Sequence, residues 1–384
     1  MVVPWDQHVG GVASVVGNLA RYLERTGHQV VFLHPGEPEF CRPRTTAWGF
    51  TGYERNLRSP FIPGRTVRSA LAFVAVLALT LYQLAAVIRR HRIDVVNIHY
   101  PLEAFLYFAL LRRLMPFRLV VSVHGADLFR DGRPAQRYPR SLLMLLARAD
   151  AVVAPSKAFL GDCVAAVPSL ASKGVVVHNG VDLVELASAG SGDGAAAEPY
   201  VLCIAAHNEK KALDVLLTAF ARVGQTHPGL RLVLVGDGPL RRQHEVQARA
   251  LALEGRVEFL GERGRGEVAR LLHGCALFVL PSRSEPFGMV VTEALACRKP
   301  VVASAVGGIP EIIEHERTGV LVEPDNAGAL AGALARMLDD HALRERMAAA
   351  GYERVRDRFG CDRMGREYEQ LFTSLLGDKA TYGR

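Results

Sequence analysis

The sequence is short of most features that announce a specialised class of protein. Aromatic residues make up only 7%. No basic-aromatic reader motif accompanies them, which speaks against nucleic acid as a partner. Cysteine occurs at 41, 163, 203, 275, 297 and 361, never as C-x-x-C and mostly inside apolar runs. That usage suits small buried hydrophobes in a reduced compartment, not a disulfide framework. The 13 histidines include no H-E-x-x-H and no tight His/Cys cluster, so nothing in the spacing predicts a metal. Neither G-x-G-x-x-G nor G-x-x-x-x-G-K-[ST] is present. The N-terminus has no basic flank followed by an apolar stretch, so no secretory signal is expected. Low complexity is missing too, since 36 glycines and 20 prolines are ordinary for 384 residues. With 49% hydrophobic and 22% charged residues, disorder is excluded for most of the chain.

What remains is a chain long enough for two domains. Its formal charge of +7 is unevenly placed. Residues 1–190 carry 21 Lys and Arg against 13 Asp and Glu, whereas 191–384 carry 25 against 26. A basic first half points to an anionic partner such as a membrane surface, a polyanion or a phosphorylated substrate.

Short runs rich in Val, Leu and Ile alternate with helical patterns. Strands are expected at 1–4, 29–34, 95–99, 119–124, 151–155 and 175–178, then at 200–205, 231–236, 257–260, 276–281, 300–304 and 320–323. Helices are expected at 11–26, 211–226 and 239–253, among others. Near-continuous apolar strands alternating with helices imply parallel sheets covered on both faces. Two doubly wound α/β domains follow, at 1–190 and 191–360, with a C-terminal helix over 361–384 and a frayed tail from 379. The boundary reads from ASAGSGDGAAAE at 187–198, a small-residue stretch between periodic regions. The first strand has only about four residues before Trp5, short for a strand.

One stretch, 69–88 (SALAFVAVLALTLYQLAAVI), has the length of a membrane span. Thr80, Tyr82 and Gln83 interrupt it and a strand-like run follows closely. A buried or membrane-surface helix is the favoured reading over a true span.

Four segments can carry chemistry. Residues 282–308 read SRSEPFGMVVTEALACRKPVVASAVGG. Pro286 suits a helix's first turn, and a helix is expected from Gly288. Its free N–H groups and dipole make an anion site. Glu285 precedes this helix and Glu293 lies inside it, where carboxylates can accept hydrogen bonds from sugar hydroxyls. The same residues equally suit a plain helix start, with Glu285 complementing the dipole and Glu293 solvated. His124 stands at a strand's carboxyl tip, followed by Gly125 and Asp127. There it faces a ligand crevice or is an ordinary strand-end histidine. Lys210 and Lys211 sit at a strand-to-helix turn and can neutralise phosphate or simply be solvated. Gly10 and Gly11 permit close backbone approach at the first such turn, as do Gly236 and Gly238 at another.

In this order, the segments resemble the retaining GT-B glycosyltransferases of the group 1 family over nearly the whole chain. The most specific match is Glu285-Pro286-Phe287-Gly288 with Glu293, the family's Glu–seven residues–Glu pattern. EALACRKPVVASAVGGIPEII, TGVLVEPDN, His124-Gly125, GGV at 10–12 and VLVGDGP at 233–239 fall in the family's order. The resemblance implies two Rossmann-like domains facing a central cleft, with a nucleotide-sugar donor held by the second. Glu293 would bind ribose and Glu285 the donor sugar. Backbone N–H groups of Phe287, Gly288, Met289 and Val290 would face sugar or diphosphate. Lys211 would pair with diphosphate, with Lys210 beside it, and Gly236 and Leu260 would complete the donor site. His124 would reach the sugar from across the cleft, and the acceptor would lie near Gly10, Gly11 and Asp127. No cofactor and no metal are implied. One departure is Ala205-Ala206, where the family often has Gly-Arg, so one phosphate-pairing cation is missing and Lys210 is the available substitute.

The expected reaction is retaining transfer of a hexose-type sugar to a hydroxyl acceptor. Arg65, Arg68, Arg89, Arg90, Arg92, Arg112, Arg113 and Arg118 lie beside apolar helical stretches at 69–88 and 103–114. Basic plus apolar suits a peripheral face on an anionic membrane, and core helices packed on the first sheet show the same pattern. A lipid-linked or cell-envelope glycan acceptor at the inner face of the plasma membrane, reached from the cytoplasm, is expected accordingly. The competing readings are an epimerase or oxidoreductase on a related fold, and a membrane-associated sugar-binding protein without catalysis.

Overall fold

The computed structural model describes residues 1–5, 10–36, 43–59, 66–130, 132–134, 138–189 and 199–377. Contacts divide the chain into two units, Met1–His178 with Met364–Arg384, and Asn179–Arg363. The sequence places these divisions at 190 and 360. The first moves because helix Leu183–Ala189 packs in the second unit. There Leu186 is buried, and Glu185 meets Arg265 at 2.8 Å. Residues 190–198 of the expected linker, and the tail from 378, lie outside the described residues.

The second unit is built on one six-stranded parallel sheet. Its order is Val257–Gly261, Arg231–Val235, Tyr200–Ile204, Leu277–Leu280, Val301–Ser304, Val320–Val322. The strands of its centre are buried along their length except at Ile204, which is half-buried. Their β-branched and leucine side chains find helices on both faces, so no polar alternation is needed. The chain winds outwards in both directions from Tyr200–Ile204 and Leu277–Leu280. The carboxyl ends of these two strands are therefore the topological switch point.

The first unit repeats the plan around a very short strand. Val2 bridges Leu33 on one side and Ile98 on the other, both in parallel. Met1, Val2 and Val3 are laddered on both sides, with N–H···O distances of 2.8–3.0 Å. Three residues suffice because each has neighbours to pair with, so the strand is short but central. Through it, Thr51–Arg55 and Val31–Pro35 join Val95–His99, Arg118–Ser122, Ala151–Ala154 and Gly174–Val176 in one sheet.

The expected strands are found within two residues. The sequence does not predict Thr51–Arg55, whose residues TGYER form no apolar run, although Gly52, Tyr53 and Arg55 are buried and the strand pairs on both sides, with Val31–Pro35 and Arg44–Thr45. Helix starts differ more. Lys211 closes a 3-10 turn, Glu209–Lys211, and the α-helix begins after it as Leu213–Val223. Ala212 between them is left-handed at φ 52°. The helix expected from 239 runs Arg241–Ala250, and the stretch 103–114 splits into Glu103–Phe105 and Leu106–Leu111. Pro286 lies in a bend before helix Met289–Ala296, not in its first turn.

The last helix, Cys361–Leu376, joins the first unit from Met364 onwards. Its Tyr368 hydroxyl is 3.1 Å from Ser122 Oγ. Glu369 accepts from Tyr22 at 2.9 Å and lies 2.7 Å from His28. Cys163, Cys203, Cys275 and Cys297 are buried free thiols, and Cys361 is half-buried. Cys41 lies outside the described residues.

Candidate active site

The two loops leaving the central strands of the second sheet meet at one ion pair. Residues 205–211 follow Tyr200–Ile204, and 281–288 follow Leu277–Leu280. Lys211 Nζ donates to Glu285 Oε2, and both side chains are largely shielded. Arg283 braces the arrangement. Its guanidinium forks onto Asp214 at 3.0 and 2.7 Å, reaches Asp325 at 2.5 Å and donates to the Glu209 carbonyl at 2.7 Å. The Arg283 N–H donates to the Lys210 carbonyl at 2.7 Å. The turn carrying Lys210 and Lys211 is thereby tied to the loop carrying Glu285. Sequence reading missed Arg283. Its only signal was an arginine between the strand and Glu285.

The backbone of Glu285 is clamped from the other side. Gly308 N–H donates to its carbonyl at 3.0 Å. Gly307, at φ 50°, presses so closely that a Cβ there would collide with the same carbonyl. Gly288 caps the following helix in a left-handed conformation, φ 111° and ψ 53°, where a Cβ would strike Ile309. Its glycine identity is thus set by packing and φ. Phe287 is buried against Phe359, centroids 5.9 Å apart, so its side chain belongs to the core. Met289 and Val290 open the helix half-buried, and first-turn N–H groups have no partner within the helix.

Glu293 projects from the fifth position of that helix. Its carboxylate has no hydrogen-bond partner among the described residues. Desolvation pushes it up to about 7, with Arg265 lowering and Glu185 raising it. Three further polar atoms at this end of the sheet are buried without a partner: His207 Nε2, Asn208 Oδ1 and Ser282 Oγ. Orphaned polar groups are rare in finished cores. Their concentration in the two switch-point loops marks a place suited to a polar ligand. Gly236, at φ 124°, packs on the Ala205 carbonyl and donates to Gly261 at 2.8 Å. Leu260 lies near the carboxyl end of the edge strand, partly buried on the core.

In the first unit, His124 also stands just past the carboxyl end of its strand. Its Nε2 is 3.2 Å from Nδ1 of His99, which ends the neighbouring strand. His99 Nε2 is 3.0 Å from Asn97, whose Oδ1 accepts from Ser122 at 3.0 Å. Burial pulls His124 down to about 4 and His99 well below its ordinary value. Both rings are neutral near pH 7, so one nitrogen of the contact donates and the other accepts. His99 was not singled out from sequence, although it is a second strand-end histidine. The Asp127 carboxylate accepts from the N–H groups of His124, Gly125 and Leu128 at 2.7–3.1 Å. Those bonds hold the turn that presents His124. Burial raises Asp127 to about 6 while these bonds oppose it. Gly10, at φ 97°, caps helix Gly11–Arg25, and Asp6–Val9 before it lies outside the described residues. A cavity of about 840 Å³ lies at the opposite, amino ends of the strands, beside Val31, Val95 and Arg118.

Two doubly wound α/β units of this kind form the GT-B fold of glycosyltransferases. Residues 193–354 match the family model "Glycosyl transferases group 1", and 9–185 match "Glycosyltransferase Family 4". The chain belongs to the group 1 glycosyltransferases. It is 27% identical over 383 residues to N-acetyl-alpha-D-glucosaminyl L-malate synthase of Bacillus anthracis, covering 96% of this chain and 95% of that one. Its fold matches sucrose-phosphate synthase from Thermosynechococcus elongatus with TM-score 0.77 at 24% identity, over 98% of both chains. It also matches Anabaena Alr3699/HepE in complex with UDP and glucose, TM-score 0.74 at 22% identity, over 97% and 99% of the chains.

Proposed function

We propose that this enzyme moves a hexose-type sugar, with retention of anomeric configuration, from a nucleoside-diphosphate sugar to a hydroxyl of a lipid-linked or cell-envelope glycan at the inner face of the plasma membrane. The observation that carries the donor half is the Lys211–Glu285 pair at the switch point, with Glu293 on the helix that follows. Leaving of the nucleoside diphosphate places negative charge on a phosphate oxygen. The Lys211 ammonium and the N–H groups opening helix Met289–Ala296 are the fixed positive ends beside it. An ammonium has three donors, so Lys211 can keep Glu285 while meeting a phosphate oxygen. Glu285 and Glu293 accept from sugar and ribose hydroxyls. The departing phosphate oxygen takes the acceptor's proton, so neither a metal nor a protein nucleophile is needed. Bond breaking to the phosphate oxygen and bond making from the acceptor oxygen occur on the same face of the anomeric carbon. Lys210 is the cation available where the family's arginine is missing.

A panel of nucleotide sugars screened by thermal shift tests the reading, since a bound donor stabilises the fold by mass action. One nucleotide sugar should raise the melting temperature and be slowly hydrolysed, with product of unchanged anomeric configuration by NMR. Lys211→Ala should weaken nucleoside-diphosphate binding by roughly 10–100-fold, the range of a lost charge-assisted hydrogen bond. No shift with any donor, or an inverted product, would overturn the assignment.

A further inference from the structure

We infer that three neighbouring helices of the first unit form a docking face for an anionic lipid bilayer. The proposal deepens the lipid-linked acceptor reading and rests on it only for its purpose. Helix Thr66–Arg90 packs on Leu106–Leu111, which packs on Arg140–Arg148. All three contribute to one core with the sheet. Ten large hydrophobic side chains are exposed among the described residues. Five of them, Val67, Leu71, Val74, Leu79 and Tyr82, stand on helix Thr66–Arg90 at 59–76% exposure. Three more, Leu114, Leu143 and Met144, stand on or just beyond its two neighbours.

The spacing 67, 71, 74, 78/79, 82 is one stripe of a helix. The other side of the same helix is in the core: Phe73, Leu84 and Ile88 are buried, and Phe73 lies against Tyr107 at 5.0 Å. The hydroxyls of Ser69 and Thr80 are on that buried side too. A helix crossing a bilayer alone would meet lipid all round. Here one side is bound to the sheet, so the helix can only lie along a membrane surface with its apolar stripe down.

Charge selects the occupant. Arg68, Arg89, Arg90, Arg113, Arg140 and Arg148 are exposed on or beside these helices. None of them forms an ion pair among the described residues. Residues 66–93, 104–118 and 138–149 contain no Asp or Glu. A second copy of the chain would set arginine against arginine across the contact. A bilayer with anionic headgroups supplies apolar depth and negative charge together.

Co-sedimentation with vesicles tests the face. The full chain should pellet with vesicles containing phosphatidylglycerol at low salt and stay soluble with pure phosphatidylcholine. Leu71→Asp with Val74→Asp, and separately Arg89→Ala with Arg90→Ala, should each weaken binding at least tenfold. All these side chains are exposed, so the variants should fold as the parent does, checked by circular dichroism. No binding to the anionic vesicles at low salt overturns the proposal. So does binding that the aspartate pair leaves unchanged, or a lipid-free dimer that the same pair dissolves. A thermal-shift panel of nucleotide sugars run in parallel separates the two readings. Vesicle binding with no response to any nucleotide sugar sinks the proposed donor reading alone, and the reverse sinks the docking face alone.

Discussion

Glu293 is the residue whose environment most clearly asks for a partner. It is carried by a helix whose other side is held in the core, and desolvation lifts it to about 7. A carboxyl with a folded value above its unfolded value binds a proton more readily when folded. The stability this gives is complete at low pH and is lost as pH rises from about 4.5 through 7. The difference amounts to at most about 3 kcal/mol. Glu293→Gln should flatten that part of the pH dependence, seen as urea midpoints at pH 5 and pH 8 that draw together. An unchanged slope would assign the titration to another group. His124 and His99 act in the opposite sense, because burial lowers both, and a histidine so lowered opposes folding as pH falls below its ordinary range. Glu285, Glu293, Lys211 and His124 were all legible as residue types at strand ends and helix starts. Their partners were not. Arg283 and His99 become functional candidates only when the sheet places them beside a residue from a distant part of the chain.

Elements were read well where hydrophobic runs were continuous and poorly where geometry is set by contact. The buried strands of both sheets show themselves in Val and Leu runs. The strand Thr51–Arg55 does not, because TGYER holds no apolar run even though Gly52, Tyr53 and Arg55 are buried between its neighbours. The 3-10 turn Glu209–Lys211 ends in left-handed Ala212, a conformation the sequence gives no reason to expect of alanine. Arg283 explains how the turn is held, linking it to helix Leu213–Val223 and to Asp325. Arg283→Lys keeps the charge but loses the planar fork onto Asp214. The KM for the nucleotide sugar should rise about tenfold, equivalent to about 1.4 kcal/mol, with the acceptor KM unchanged. An equal rise in both, with a lower melting temperature, would leave Arg283 a fold-holding residue only. The long apolar helix Thr66–Arg90 shows the same limit. Its composition permits a span, and only the structure shows that one of its sides is packed in the core.

For the whole molecule, the charge asymmetry in the sequence acquires an address. The basic excess of the first half includes exposed arginines around the apolar stripe, while Lys211, paired with Glu285, sits in the nearly neutral second half. The terminal helix is the clearest case of long-range assignment. It follows the second unit in sequence yet packs in the first, where a Cβ on Gly365 would run into the Tyr22 ring. Gly365→Ala should therefore destabilise the first unit by about 1–3 kcal/mol, as overpacking does, read as a lower urea midpoint. An unchanged midpoint would show that the helix docks without that close approach. The sequence by itself determined the class of fold, the family and the reactive residue types, because periodicity, motif order and composition are properties of neighbours along the chain. Only the tertiary structure decided that Lys211 faces Glu285, that His99 stands behind His124 and which side of the apolar helix is free. Those are distances between residues far apart in sequence, fixed by how parallel strands set their ends side by side.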